Sequence, residues 1–266
     1  MIRNSKTGRC CSCTDNLYKE GILEMTKVFI DGSYGTTGLR IHQRLQSRTD
    51  LELISIPYEE RHSESARRRA YEKADFVFMC LPDAAAKEAA PMAEACHTRV
   101  IDASTAHRTA EGWVYGFPEI SSTETIEAAP LVANPGCHAS GVNALIYPLI
   151  RNGILSPAQK LQCFSVTGYS GGGKKMIGEY ESDCRDALMD APQMYGLSQQ
   201  HKHLPEITAL NGLECAPIFC PIVSDFYCGM ETIIPLFGSD IHGTMEDIRN
   251  AYREFYTGPL VYYKED

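Results

Sequence analysis

From Lys27 onward the apolar and polar positions change period in a regular way. "KVFID" (Lys27–Asp31) is an almost unbroken apolar run, which predicts a buried strand. Glycines follow, then a helix from about Thr37 to Leu45 with Leu39, Ile41 and Leu45 as its apolar positions. "LELISI" (Leu51–Ile56) predicts a second strand, stopped by Pro57. "SESARRRAYEKA" predicts a polar helix, and "DFVFMCL" (Asp75–Leu81) a third strand. "DAAAKEAAPMAEAC" predicts a helix with Asp83 as its N-cap, and "RVIDAS" and "PLVANP" predict the fourth and fifth strands. Strand–helix units repeated with short links imply a parallel sheet with helices on its faces.

The texture changes after a helix expected over Val142–Arg151. "KLQCFSVTGYSGGG" reads as a strand running into a glycine loop. "APIFCPIV" and "GMETIIPLF" are spaced like strands of an antiparallel sheet. The fold class is therefore α/β: a Rossmann-type domain over 25–136 and an α+β domain over 137–266, with the boundary near Cys137. Residues 1–24 are expected to be a disordered extension.

Composition narrows this picture. The chain has 266 residues, 44% hydrophobic and 22% charged, as in a soluble globular protein. No run approaches the roughly 18 apolar residues of a membrane helix, and Met1–Glu24 has no apolar core for a signal peptide. The net charge of -9 argues against nucleic acid as the main partner. The 11 cysteines are odd in number and scattered, which favours reduced thiols in a cytosolic protein. "CCSC" (Cys10–Cys13) has no second pair or histidine at zinc spacing, so no metal is expected there.

Three segments carry chemistry. "DGSYGTTG" sets Gly32, Gly35 and Gly38 between the first strand and the first helix. Glycines there let backbone N–H groups approach a pyrophosphate at a helix N-terminus. Ser33, Tyr34, Thr36 and Thr37 complete the loop. The second strand ends "PYEERH", where Glu59 or Glu60 suits a ribose hydroxyl. Arg61, or the Arg67–Arg69 cluster, suits a 2′-phosphate; for the cluster a solvated helix face is the plainer reading.

In "ANPGCHASG" a Pro-Gly turn delivers Cys137 to the mouth of a helix. A thiol there lies at the positive end of the helix dipole, which favours the nucleophilic thiolate. "HKHLPE" supplies His201 and His203, two apart and so on one face of a strand, with Glu206 placed to orient an imidazole. The same residues suit a metal poorly, for want of a third well-spaced ligand. The remaining histidines, His138 among them, read as surface or structural. "DASTAHR" follows the fourth strand, so Ser104 and Arg108 fall at the sheet's carboxyl edge, where Arg108 can clamp an anion. "TGYSGGGKK" reads either as an anion-binding nest or as a flexible turn with solvated lysines.

Taken together, "FIDGSYGTTGLRI", "VIDASTAHR", "VYGFPEI", "ANPGCHASG", "GYSGGGKKM" and "HKHLPEI" resemble the N-acetyl-gamma-glutamyl-phosphate reductases in their shorter form, collinearly from Met25. The resemblance implies a Rossmann-type NADP-binding domain followed by a catalytic and dimerisation domain, as in the semialdehyde dehydrogenases. It implies NADP as cofactor, a small acyl-phosphate substrate, a cytoplasmic place in arginine biosynthesis and a homodimer or tetramer. Cys137 falls on the family's catalytic cysteine, and His203, with His201 beside it, on its histidine motif. Arg108, Tyr169 and Ser170 fall in segments expected to contact substrate, and Asn134 stands at the same turn as Cys137. The family also carries a strand and a Gly-Ala-rich helix beyond the position of Asp266 that return to the cofactor domain, whereas residues 1–24 have no counterpart in it. The implied reaction is reduction of an acyl phosphate through a Cys137 thioester, with His203 as acid/base. The rival readings are another semialdehyde dehydrogenase such as aspartate-semialdehyde dehydrogenase, a cysteine hydrolase, and a non-catalytic dinucleotide-binding protein.

Overall fold

Strand β1 (Thr26–Asp31) starts a sheet that grows on both sides of it. In the computed structural model, residues 25–265 are described; the expected extension, with Cys10–Cys13, lies outside them. Strands β2 (Leu51–Ile54), β3 (Phe76–Met79), β4 (Arg99–Asp102), β5 (Val114–Tyr115) and β6 (Leu131–Ala133) complete a six-stranded sheet in the order β2-β1-β3-β4-β6-β5. Every neighbouring pair is parallel. Helices α1 (Thr36–Leu45), α2 (Glu64–Lys73), α3 (Asp83–Ala95), α4 (Pro118–Ser121) and α5 (Thr123–Ala128) provide the crossovers. Between the sheet and its helices lie Phe29, Tyr71, Val77, Met79, Val100 and Leu131, with Ala86, Ala89 and Ala93 letting α3 approach closely.

The register aligns Asp31 with Met79, Met79 with Asp102 and Asp102 with Ala133. The loops leaving these residues therefore share one carboxyl edge. The strand order reverses between β1 and β3, which opens the crevice where ligands of such sheets bind.

Helix α6 (Cys137–Arg151) carries the chain from that edge into the second half. There β7 (Gln162–Gly168), β8 (Gln193–Met194), β9 (Ile218–Ser224) and β10 (Met230–Ile233) form a sheet in the order β10-β7-β9-β8. It is mixed rather than antiparallel as expected: β7 and β9 run parallel, because the link between them carries α7 (Gly173–Tyr180), β8 and α8 (Leu204–Asn211). Together with α9 (Met245–Phe255), α6 and α8 cover one face, burying Val142, Ile146, Leu149, Leu155, Cys163, Ile207 and Phe219. By register, Phe164, Ile222, Ile233 and Met194 share the other face, where Ile233 and Met194 are exposed.

Local elements depart from expectation in three places. Helix α6 begins at Cys137, not Val142, since Gly136 is extended (φ -71°, ψ 142°) and the Gly136 carbonyl already accepts from Ser140 N at 2.8 Å. The lysine-ended glycine segment is not a free turn but the start of α7. Asp83 is not an N-cap: Pro82 takes that place, and the Asp83 carboxylate accepts from the Thr105 N–H at 2.9 Å and from its hydroxyl.

Candidate active site

Cys137 stands where the two sheets meet, exposed at the first position of α6. It opens into a cleft of ≈ 450 Å³ shared with Arg108, Asn134, His138, Tyr195, His201 and His203, and reaching Thr37 of the first domain. Gly136 is needed here for space rather than for φ. A Cβ at that position would lie 2.5 Å from Arg108 Nη1 and 2.5 Å from His203 Nε2. The cation and the imidazole thus press on the turn that presents the thiol.

Glu206 holds this arrangement together, but not as expected from sequence. It is 2% exposed, and its carboxylate makes no hydrogen bond to either histidine ring. Oε1 accepts from the Gly136 N–H at 2.7 Å and from the Tyr115 hydroxyl at 2.6 Å, while Oε2 accepts from Arg108 Nη1 at 3.0 Å. The network runs on inward: Asn143 Nδ2 donates to Tyr115 Oη at 3.0 Å, and Asn211 Nδ2 donates to Asn143 Oδ1 at 2.7 Å. Arg108 Nε also donates to the Asn134 carbonyl at 2.9 Å. One carboxylate on α8 therefore fixes the turn that presents Cys137, the arginine and β5 relative to one another. Asn143 stands out as the sole amide in the apolar run "VNALIYPLI", a signal of a buried polar partner.

The two histidines reach the cleft from a turn, not from a strand. His203 is the N-cap of α8, and its backbone N–H donates to His201 Nδ1 at 3.3 Å, which sets the rings 4.8 Å apart edge to face. Burial, followed by the positive charge of Arg108, pushes the pKa of His203 down to about 2, so the ring is neutral at pH 7. Its Nδ1 is buried with no hydrogen-bond partner among the described residues. Burial and the neighbouring Lys202 also lower His201.

His138, which sequence reading set aside, belongs to the same cluster. Its ring lies 5.6 Å from that of His203 and bonds Ser165 Oγ through Nδ1 at 2.7 Å and Tyr195 Oη through Nε2 at 2.8 Å. Desolvation pushes its pKa down to about 4, and desolvation raises Tyr195 to about 12. The only sequence signal for His138 was its place beside Cys137.

Three expected substrate contacts lie elsewhere. Ser104 turns inward: its hydroxyl donates to Asp102 Oδ2 at 2.6 Å. His107 Nδ1 bonds the same oxygen at 2.6 Å, and its ring stacks on Trp113 at 4.0 Å. The Tyr169 ring stacks on Tyr180 at 4.8 Å and its hydroxyl faces Glu181. Neither Tyr169 nor Ser170 lines the cleft; Gly168, Gly171, Gly172 and Met176 of that segment do. The Tyr169 and Ser170 N–H groups are taken by the Phe226 and Tyr227 carbonyls.

A second cleft of ≈ 350 Å³ runs along the β1–β3 edge, lined by Gly32, Ser33, Tyr34, Gly35, Arg61, His62, Arg67 and Leu81. Gly32 (φ +88°) has no room for a Cβ against the Cys80 carbonyl, and Gly38 packs on the Gly32 carbonyl. The N-terminus of α1 is open: Gly35 offers no side-chain cap and the first turn has no acidic residue. The Thr36 hydroxyl accepts from the Lys174 N–H. Arg61 lies 3.7 Å above the Tyr58 ring, and Nη1 donates to the Tyr58 carbonyl at 2.8 Å. Arg67 is not on a solvated face: it pairs with buried Asp31 at 2.6 Å, which Tyr71 Oη also reaches at 2.8 Å. Glu59 and Glu60 are not among the lining residues, and Arg67 occupies the one carboxylate that is. These residues fit a phosphate-bearing dinucleotide: a glycine cradle, an uncapped helix end and a cationic rim.

Comparison with known proteins identifies the family. Residues 27–129 match the family described as semialdehyde dehydrogenase, NAD binding domain, and residues 137–263 match the semialdehyde dehydrogenase dimerisation domain. The N-acetyl-gamma-glutamyl-phosphate reductase of Sinorhizobium medicae is 44% identical over 241 residues, 88% of this chain and 78% of the relative. That of Trichormus variabilis is 42% identical, over 87% of this chain and 74% of the relative. Among solved structures, aspartate semialdehyde dehydrogenase II from Vibrio cholerae superposes with a TM-score of 0.60 at 14% identity, covering 87% of this chain and 79% of that one. Aspartate semialdehyde dehydrogenase with NADP from Candida albicans gives a TM-score of 0.59 at 15% identity, over 87% and 76%. The chain belongs to the semialdehyde dehydrogenase family, among its N-acetyl-gamma-glutamyl-phosphate reductases.

Proposed function

We propose that the protein reduces N-acetyl-L-glutamyl 5-phosphate to N-acetyl-L-glutamate 5-semialdehyde and phosphate, with NADPH, through a thioester on Cys137. The observation that carries this reading is the position of Cys137: first residue of a helix, in a cleft that also holds Arg108 and His203 and extends to Thr37 in the first turn of α1. The names of the relatives at 42–45% identity supply the substrate.

The Cys137 thiolate attacks the acyl carbon, the C–O bond to phosphate breaks, and a thioester remains on the sulfur. The free N–H groups of the first turn of α6 face the oxygen that gains charge. His203, neutral at rest, takes the thiol proton as the Cys137 thiolate forms beside it, the ion pair offsetting the burial and the Arg108 charge that hold its pKa down, and passes that proton to the departing phosphate oxygen. NADPH, when bound, supplies the hydride that the thioester accepts. Cys137 then leaves as thiolate, freeing the aldehyde. Arg108, already held by Glu206 and the Asn134 carbonyl, offers its remaining N–H groups to an anionic end of the substrate. Arg61 and His62 are the groups suited to a 2′-phosphate.

The half-bare sheet face carrying Ile233 and Met194 fits self-association, as a homodimer or tetramer. A cytoplasmic setting suits a nucleophile that has to stay reduced. The deciding assay follows NADP reduction by N-acetylglutamate semialdehyde with and without inorganic phosphate. The reading predicts a reaction that requires phosphate; phosphate-independent turnover, or none, contradicts it.

A further inference from the structure

His138, the residue after Cys137 in α6, is buried, and both its ring nitrogens are bonded. Nδ1 meets Ser165 Oγ of β7 at 2.7 Å, and Nε2 meets the hydroxyl of Tyr195, just past β8, at 2.8 Å. Burial, followed by His201 and Lys202, pushes the pKa of His138 down to about 4, so at pH 7 the ring carries a single N–H. Which nitrogen holds that proton decides which way the Tyr195 hydroxyl points.

Ser165 settles the question. It is fully buried, so its hydroxyl proton needs an acceptor within the protein. Two are in reach, His138 Nδ1 at 2.7 Å and Thr232 Oγ1 at 3.4 Å. The shorter contact takes the proton, which leaves Thr232 to donate to Ser165. Thr232 comes this near because Gly141, one turn along α6 from His138, has no Cβ; one built there would lie 2.4 Å from Thr232 Oγ1. With Nδ1 accepting, the ring proton sits on Nε2 and is donated to Tyr195 Oη. Donation thus runs one way, from Thr232 to Ser165 to His138 to Tyr195. The Tyr195 hydroxyl has no other partner among the described residues, and Tyr195 lines the cleft into which Cys137 opens. Its own proton is therefore left for the cleft.

We propose that His138 is a positioning residue that turns the Tyr195 hydroxyl proton toward Cys137, and that Tyr195 is a further catalytic residue, donating a hydrogen bond to the sulfur while it is a thiolate. This rests on the reading that Cys137 is the nucleophile. No proton leaves Tyr195, because burial, and next the Cys137 thiolate itself, raise its pKa to about 12. The other charged or titratable groups facing Cys137 are the cations Arg108 and Lys202 and the neutral rings of His201 and His203. The cations favour a thiolate by charge; Tyr195 adds a directed donor.

Two measurements on the full chain test this, and neither needs substrate or cofactor. In long-range nitrogen–proton NMR spectra of the histidine-labelled chain at pH 7, the His138 signals are those missing from His138→Gln. They should show the proton on Nε2; a proton on Nδ1 overturns the proposal. The second measurement is the pH profile of Cys137 alkylation by iodoacetamide, read by peptide mass spectrometry against the exposed Cys215 of the same chain. Tyr195→Phe and His138→Met should each raise the Cys137 midpoint by about one pH unit, leaving about tenfold less thiolate at a pH below both midpoints. His138→Gln, whose amide still donates to Tyr195, should recover most of that shift. Cys215 should behave alike in every variant. An unmoved Cys137 midpoint in Tyr195→Phe overturns the proposal, and a midpoint moved by Tyr195→Phe but not by His138→Met overturns the role of His138. Tyr195→Phe removes a single oxygen from the cleft wall, so it carries the test should His138→Met fail to fold. Wild-type Cys137 reacting no faster than Cys215 at pH 7 is a different outcome: it removes the reading of Cys137 as nucleophile, and the proposal with it.

Discussion

Glu206 is a carboxylate whose two oxygens are filled by protein donors from Arg108, Tyr115 and Gly136. Removing its charge leaves the Arg108 guanidinium, 7% exposed, without a counter-charge. Breaking a buried pair in this way costs about 3–5 kcal/mol, so Glu206→Gln should lower the urea midpoint markedly; an unchanged midpoint would show the pair to be dispensable. Tyr115→Phe is milder. It removes one donor to Glu206 and leaves Asn143 Nδ2 unpaired, at about 1–3 kcal/mol. The histidines set a pH dependence. His138 and His203 titrate well below the free value, to about 4 and about 2, so the unfolded chain binds more protons than the folded one below pH 6.5. Their contribution is complete above about pH 6.5 and is lost as pH falls toward 4, and for His203 further still. Denaturation at pH 7 and pH 5 should therefore give lower stability at pH 5. His138→Gln should reduce that difference; a slope unaltered by the substitution contradicts the assignment.

The turn into α6 is the element on which the site depends. Gly136→Ala keeps an allowed backbone (φ -71°) but drives a Cβ into Arg108 and His203. It should cut turnover by at least tenfold while NADPH binding, set by the other cleft, stays close to wild type; normal turnover would show that the contact has slack. Much of this was legible in sequence, because the first half alternates period cleanly and its glycines sit between β1 and α1. The Pro-Gly-Cys turn was also legible. "HKHLPE" was not: two polar residues two apart suit a strand, but Pro205, at home in the first turn of a helix, was the better guide to α8. The mixed sheet was hidden because strand spacing does not reveal which neighbour a strand pairs with. Arg67 and Glu206 were misread for one reason. Their partners, Asp31 and the Gly136 N–H, lie far away in sequence, and only tertiary contact makes a charged residue internal.

At the scale of the whole molecule, the two sheets are joined at the Cys137 cleft and again across α1, through Lys174 and the Arg40–Tyr227 contact. The outer face of the second sheet, with Ile233 and Met194 exposed, should be covered by another copy. Ile233→Lys is expected to shift the sedimentation coefficient toward monomer; unchanged association would place the interface elsewhere. The central claim concerns sulfur chemistry across the junction of the domains, and Cys137→Ala tests it most directly. The variant should bind NADPH with wild-type affinity yet show no phosphate-dependent reduction of NADP by N-acetylglutamate semialdehyde. Appreciable turnover by Cys137→Ala would contradict the covalent route and the site built around it.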